Sequence, residues 1–393
     1  MTTIKKLIFV FSLCYLVILP LHAANNPHYA IIMDAGSTGT RAHLFEFSVD
    51  TTVPSITDIY SVSTKPGLSS YQDTPKAAYK AIEPVLKEMH TYLANKNIPE
   101  AEVSISILAT AGMRLLPEPE QQAIYQNIES FLKTNYAYPI LRMKTIAGNE
   151  EAFYAWLDVN YLNNTFHTGS ASVGTLDMGG ASTQIAFELA NDPTVKPPVD
   201  TVSHIKIGNH DYTVFRASYL GLGQDQMRAK VNANNNAYSC YPINYPMQHT
   251  NGAFNLSDCQ QQYQTPLATY RNIFSSIPAF SGNMVAFSGF YYQFNFFKED
   301  PQTTREKFQQ KVKEVCGNTW ETLQQQYPSQ PADYLATYCA NAAYHDILLH
   351  QSYKLSDQQL TIAKKINGKE IDWTLGALLY LLTTETKTSM PNR

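Results

Sequence analysis

Two short stretches carry the residue types that hold phosphate. Ile31-Ile32-Met33-Asp34-Ala35-Gly36-Ser37-Thr38-Gly39-Thr40-Arg41 and Thr175-Leu176-Asp177-Met178-Gly179-Gly180-Ala181-Ser182-Thr183-Gln184 each end an apolar run on an aspartate, then turn through glycines and hydroxyls. Such a turn presents backbone N–H groups, which bind phosphate oxygens without formal positive charge. Gly36 and Gly180 let a phosphate approach the main chain, and Ser37, Thr38 and Ser182 add hydroxyl donors. Asp34 and Asp177 repel phosphate and suit a divalent cation or its water shell. One glycine hairpin alone is an ordinary turn. Two of the same pattern point to a duplicated domain with a phosphate held between the copies.

Two further segments lie between these cassettes. In Leu108-Ala109-Thr110-Ala111-Gly112-Met113-Arg114, Thr110 can hold a metal-bound water. Arg114 there can steady a phosphate or form a salt bridge on the helix side. Ile146 to Trp156 opens a helix with Glu150 and Glu151. Acids in a first helical turn offset the helix dipole, and a glutamate in a phosphate cleft can take a proton from water. Adjacent helical side chains diverge by about 100°, so only one of the two faces inward.

These groups need a scaffold, and the patterning predicts an α/β one. Strands are expected over Tyr29–Met33, Ala42–Val49, Val103–Leu108 and Leu141–Ile146, with helices over Ala77–Ala94, Pro117–Lys133 and Glu150–Leu162. The pattern then restarts. Val173–Met178 pairs with Thr183–Leu189, and His204–Ser218 reads as a hairpin turning at Gly208-Asn209. Asn232–Gln264 is a polar excursion, Val285–Phe297 is rich in aromatics, and Glu306–Gln326, Ala332–His350 and Asp372–Leu382 read as helices.

The 393 residues suit two domains. A hydrophobic share of 44%, a charged share of 16% and a net charge of -4 indicate a globular chain with no basic surface for a nucleic-acid polymer. Lys5 and Lys6, the apolar run Leu7–Leu21 and the Leu21-His22-Ala23 site predict a signal peptide over residues 1–23, with a retained anchor as the alternative. No later stretch is long and apolar enough to span a bilayer. Cys240, Cys259, Cys316 and Cys339 then form an even set in an exported chain. Sequential pairing, 240 with 259 and 316 with 339, closes the shortest loops. Zinc is the rival use of these cysteines, but their spacings do not make paired Cys-x-x-Cys knuckles.

In order along the chain, these segments resemble the apyrase, or ecto-nucleoside triphosphate diphosphohydrolase, family. The two cassettes match its first and fourth regions, Ala109–Arg114 its second, and Glu150-Glu151 with Trp156 and Asn160-Tyr161 its third. Phe287-Ser288-Gly289-Phe290-Tyr291-Tyr292 resembles its fifth, and Tyr338-Cys339 with Tyr344 and Trp373-Thr374-Leu375-Gly376 match later landmarks. The resemblance implies two RNase H-like domains of the actin/Hsp70 type around an active-site cleft. Residues 25–162 with 372–393 would form the first, and 163–371 the second. It also implies hydrolysis of nucleoside tri- and diphosphates, helped by calcium or magnesium, with manganese as an alternative.

Carried over by position, Glu151 is the general base, because the family's base directly precedes a small residue, here Ala152. Ser182 and Gln184 position the water, and Arg114 joins the catalytic set. Asp34 and Asp177 hold the hydrated metal, with Thr110 and Trp373 in its outer shell. Gly36, Ser37, Thr38, Gly180 and Ala181 bind phosphate oxygens, and Tyr292, Asn295 and Tyr344 are candidates for the nucleobase. The expected protein is a secreted monomer. The rivals are another actin-like phosphotransferase or exopolyphosphatase, and a non-catalytic nucleotide-binding surface protein.

Overall fold

The computed structural model describes residues 27–190, 196–233, 237–247, 250–280, 282–297 and 304–384. The signal-peptide segment lies outside them. Two sheets organise the chain. The first has strands β1 (His28–Ala35), β2 (Thr40–Ser48), β3 (Ser55–Thr64), β4 (Val103–Ala109) and β5 (Ile140–Thr145) in the order β3-β2-β1-β4-β5. The second has β6 (Gly174–Met178), β7 (Ser182–Glu188), β8 (Val202–Ile207), β9 (His210–Leu220), β10 (Met284–Ser288) and β11 (Leu360–Ile362) in the order β11-β10-β6-β7-β9-β8. In each, an antiparallel hairpin carrying an aspartate at its turn lies beside a parallel strand: β4 beside β1, and β10 beside β6.

Alternation in β1 shows how the layers stack. Ile31 and Met33 face out and meet Val85, Leu86 and Met89 of helix α1 (Glu83–Asn95) and Ile124, Ile128 and Leu132 of α2 (Glu118–Asn135). Ala30 and Ile32 face in, toward α3 (Gly148–Leu162). The second sheet is covered on its far side by α5 (Leu256–Ala268), α6 (Gly289–Phe296), α7 (Arg305–Cys316) and α8 (Tyr338–Ile347), with α4 (Gln224–Asn232) running back from the cassette turn. Between the sheets sit α3 and the last helix, α9 (Trp373–Thr384), in one apolar core shared by Phe45, Trp156, Val214 and Leu378.

The outline matches the expected α/β class, with differences in detail. Strands β3 and β11 were not expected. β3 is an edge strand with a largely exposed, polar sequence, and β11 has only three residues. The helix expected from Ala77 starts at Glu83, after a 3-10 segment over Pro75–Ala81, because Pro84 suits only a first turn. The helix expected over Glu306–Gln326 breaks after Cys316 and restarts at Trp320, where the Thr319 hydroxyl caps the new turn. Both disulfides follow the sequential pairing. Cys240–Cys259 pins the excursion to α5, and Cys316–Cys339 ties α7 to α8. No helix among the described residues is long and apolar enough to cross a membrane.

Helices α3 and α9 touch closely because Gly376 has no side chain. A β-carbon there would lie 1.9 Å from the Tyr154 carbonyl oxygen. Gly376→Ala is therefore expected to force the helices apart and lower stability by about 1–3 kcal/mol, read by urea or thermal unfolding. Verified reduction of both disulfides is expected to lower the melting temperature, each bridge being worth ~3 kcal/mol on loop entropy. An unchanged melt would show that they carry no structural load.

Candidate active site

The two cassettes fold alike to the hydrogen bond. Gly36 N–H donates to Gly39 O at 2.9 Å, and Gly179 N–H donates to Ser182 O at 3.0 Å. Each bond closes the turn two residues after the aspartate, and no backbone carbonyl among the described residues engages the intervening N–H groups. Neighbours press the turns into place. A β-carbon on Gly112 would lie 2.7 Å from Ser37 Cα, and one on Gly223 would lie 2.4 Å from Ala181 backbone atoms. The start of α4 is bonded to the second turn, with Gln224 N–H donating to Gly179 O and Asp225 N–H to Gly180 O. The turns face each other: a β-carbon on Gly180 would come within 3.2 Å of Ser37 Oγ. Thr38 is exposed beside them, Ala181 is buried, and Thr110 N–H donates to Ala35 O at 3.2 Å.

The neighbouring glutamates at the start of α3 divide as helical geometry requires. Glu150 takes the solvent side, accepting from Ala147 N–H at 2.8 Å and bridging to Lys144 at 2.9 Å. It is the helix cap. Glu151 is buried and accepts from Arg114 Nη2 and, at 3.2 Å, from Gln184 Nε2. Gln184 Nε2 also donates to Ser182 Oγ at 2.6 Å and Ser218 Oγ at 3.0 Å, and Arg114 Nη1 donates to Ser218 Oγ at 3.4 Å. Gly148 makes room for this cluster, because a β-carbon there would overlap Arg114 Nη1 and Ser218 Oγ.

Ser218 went unnoticed in the sequence. It belongs to no motif, and only the antiparallel register that sets it opposite Gln184 brings it in. Asp372 was also missed. It accepts from Arg41 Nη1 at 3.1 Å, lies 3.4 Å from His43 Nε2, and caps α9 by accepting from Thr374 N–H.

Acidity gathers at the cleft floor. Burial, then Asp372 and Glu151, push Asp34 well above the usual carboxylate range, with Arg41 opposing. Burial and Glu151 push Asp177 up to about 7. Burial also raises Glu151, against the Arg114 guanidinium. Asp372 goes the other way: burial would raise it, but His43 and Arg41 hold it well below the usual range. Among the described residues, no three or more His, Cys, Asp or Glu converge into a complete metal cage. Asp34 Oδ1 is nevertheless buried without a hydrogen-bond partner. Two facing carboxylates with one orphaned oxygen fit a hard cation that keeps its water and shares substrate oxygens.

Two expectations need correction. Tyr344 does not face the cleft. It is fully buried in α8, stacked on Tyr263 at 5.1 Å, with its hydroxyl donating to Leu222 O. Trp373 is 4% exposed and stacks on Tyr154 in the core between the sheets, so Asp372 beside it brings the charge. Helix periodicity turned both rings inward. Tyr292 is exposed on α6, and Asn295 lies beside Tyr291. Half-buried Tyr338, at the start of α8, is close enough to Tyr334 and Tyr292 to feel both electrostatically.

The GDA1/CD39 (nucleoside phosphatase) family model matches residues 21–240 and 244–391. The chain belongs to this family. It is an enzyme of the nucleoside phosphatase class. Similar proteins include nucleoside-triphosphatase ntp-1 of Caenorhabditis elegans, 29% identical over 91% of this chain and 73% of its own. Probable apyrase 3 of Arabidopsis thaliana is 28% identical over 91% and 83%. Ectonucleoside triphosphate diphosphohydrolase 6 of Mus musculus is 29% identical over 92% and 84%. In fold, the chain resembles a nucleoside triphosphate hydrolase from Neospora caninum, with TM-score 0.62, 13% identity, and 92% and 93% coverage. It also resembles the Aquifex aeolicus member of the Ppx/GppA family, with TM-score 0.55, 12% identity, and 93% and 100% coverage.

Ser218→Ala should lower kcat for nucleotide hydrolysis about tenfold with the melting temperature nearly unchanged, since it loosens Arg114 and Gln184 without emptying the core. The raised Asp177 has a stability consequence. Between the unfolded value near ~4 and about 7, the folded chain binds the extra proton, so stability falls as pH rises across that window. Asp177→Asn should therefore raise the metal-free melting temperature at about pH 8, leave it little changed near pH 4, and reduce the gain from added magnesium. Thermal melts at both pH values check this.

Proposed function

We infer that this enzyme hydrolyses nucleoside tri- and diphosphates to the monophosphate, with Glu151 as the general base. The observation that carries the reading is the placement of Glu151, gripped by Arg114 and Gln184, beside two phosphate-type turns that face each other. A base buried among acids must stay ionised to work, and Arg114 supplies the opposing charge. Both contacts engage Oε2, which leaves Oε1 for a water.

The water oxygen attacks the terminal phosphorus in line with the leaving oxygen. The P–O bond to water forms as the bond to the leaving nucleotide breaks, and the water's proton passes to Glu151. N–H groups of Ser37 and Thr38 and of Gly180 and Ala181 hold the non-bridging oxygens, and Ser182, fixed by Gln184, aims the water. A divalent cation, calcium or magnesium, would be held through water by Asp34 and Asp177, with Thr110 nearby, and would supply charge to the phosphoryl oxygens. Positioning accounts for most of the rate gain. Two similar turns also let a shorter diphosphate move one place inward.

The base would rest on Tyr292 at the mouth, with Tyr338 and Tyr334 rather than Tyr344 completing the aromatic surface. The two halves would divide at residues 25–162 with 372–393, and 163–371. Two disulfides support an oxidising compartment reached by secretion, and the protein would act as a monomer with no nucleic-acid polymer as partner.

Phosphate release from ATP, ADP and tripolyphosphate, with and without EDTA, tests the reading. The nucleotides should be cleaved, chelation should abolish the activity, and Glu151→Gln should lower kcat by ~10³-fold with the fold intact. Wild-type turnover in Glu151→Gln would remove the base assignment. Preferred cleavage of tripolyphosphate would favour the exopolyphosphatase rival.

A further inference from the structure

Ser288 ends β10 and begins the turn into α6 with φ 55° and ψ -122°. That backbone conformation is natural for glycine and strained for a residue with a β-carbon. The other non-glycine residues with positive φ among the described ones are four asparagines and Lys354. Asparagine tolerates positive φ because its short amide bonds to the local backbone. Serine has no such excuse, so its hydroxyl must be worth the strain.

The surroundings show what it is worth. β10 runs parallel to β6, with Phe287 opposite Asp177 and Ser288 opposite Met178. The turn brings the Ser288 hydroxyl near enough to the Asp177 carboxylate to lower its proton affinity, against the burial that raises it. The next residue locks the turn. A β-carbon on Gly289 would lie 2.7 Å from both Met178 O and Met178 Cγ, so the chain must cross tightly over the strand end that bears Asp177. A relaxed β conformation at Ser288 would continue the strand and carry the hydroxyl to the opposite face. The bent strand-to-helix turn instead thrusts it out at the end of the sheet, where the cassette turn lies.

We propose that Ser288 is a positioning residue whose strained backbone aims its hydroxyl at Asp177 and fixes that carboxylate in the orientation that holds the hydrated divalent cation. This rests on the reading of Asp177 as a cation-holding group. It assigns Ser288 no contact with the reacting phosphorus and no covalent step. Its partner across the pseudo-repeat is Ala109, which β4 sets opposite Ala35 as β10 sets Ser288 opposite Met178. Alanine has no hydroxyl, so only the second aspartate is braced in this way.

Two substitutions separate the hydroxyl from the strain. Ser288→Ala keeps the strained backbone and removes the hydrogen bond. Ser288→Gly removes both. In the full chain without nucleotide, magnesium titrated alone should bind both variants about tenfold more weakly than wild type by calorimetry, the loss of one hydrogen bond to a charged group. The magnesium concentration giving half-maximal phosphate release should rise by the same factor, while kcat at saturating magnesium returns to near wild type. The metal-free melting temperature of Ser288→Gly should exceed that of Ser288→Ala.

Wild-type magnesium affinity in Ser288→Gly would overturn the proposal, because the hydroxyl would then do nothing for Asp177. A melting temperature no higher for Ser288→Gly than for Ser288→Ala would remove the strain on which it stands. If wild type and Asp177→Asn bind magnesium equally, Asp177 holds no cation. The broader reading of the site then falls, and this inference with it.

Discussion

The cleft is organised around mutual repulsion. Burial raises the proton affinity of Asp34, Asp177 and Glu151 at the floor between the two sheets, and Glu151 adds to it at both aspartates. Left alone, such a cluster would take up protons or open. The protein answers each acid differently. Glu151 receives a guanidinium and an amide, which favour the ionised form a base needs. Asp372 is neutralised by Arg41 and by a His43 raised to about 10, where burial works against protonation but Asp372 and Asp58 outweigh it. Asp34 and Asp177 retain a deficit of positive charge, with Asp34 Oδ1 unpaired. That deficit is what suits this point to the cation of the proposed mechanism.

A crossed arrangement delivers these acids. In the first hairpin, Arg41 lies opposite Asp34. In the second, Gln184 lies opposite Asp177. Gln184 reaches Glu151, carried at the start of the helix that follows the first sheet's last strand. Arg41 reaches Asp372, at the start of the helix that follows β11 of the second sheet. Gln184 therefore holds an acid from the other half, while Arg41 holds one that the division at residue 372 places in its own half. The helices α3 and α9 that supply them touch through Gly376 in a core shared by both sheets. The Gln184 bond to Glu151 spans the two halves, so a shift of one against the other changes catalytic alignment together with cleft geometry.

The duplication was readable because its signal is local. An aspartate, two residues to a glycine, and a turn closed three residues on are all within one short window, and both copies fold that way. The alternation of β1 and β6 and the order of elements were readable for the same reason. The choice between Glu150 and Glu151 was not readable from spacing alone and came from family likeness. The structure shows the physical difference: Lys144 and the Ala147 N–H claim Glu150, while the cleft claims Glu151. Tyr344 and Trp373 misled because an aromatic near a motif looks equally fit for a ligand or a core. Only the rotation of α8 and α9 against their neighbours decides, and that rotation depends on contacts far away in sequence.

Ser218 and Ser288 mark a further limit of local reading. Ser218 belongs to no motif and Ser288 stands out in the sequence only as part of a fifth family-like segment; the role of each comes from strand register, Ser218 opposite Gln184 and Ser288 beside Asp177's strand. Both belong to the second sheet, and both tune groups of the second cassette. The first cassette has Arg41 where the second has Gln184, and Ala109 where the second has Ser288. The two copies differ at positions that leave the turn intact. The first carries a charge, Arg41, that holds Asp372 at the start of α9. The second carries neutral hydroxyls and an amide, which can orient a water and a carboxylate without adding charge to a floor already crowded with it. Neutral donors are the physically suitable choice there, because another cation fixed in the protein would compete with the divalent one proposed for the site.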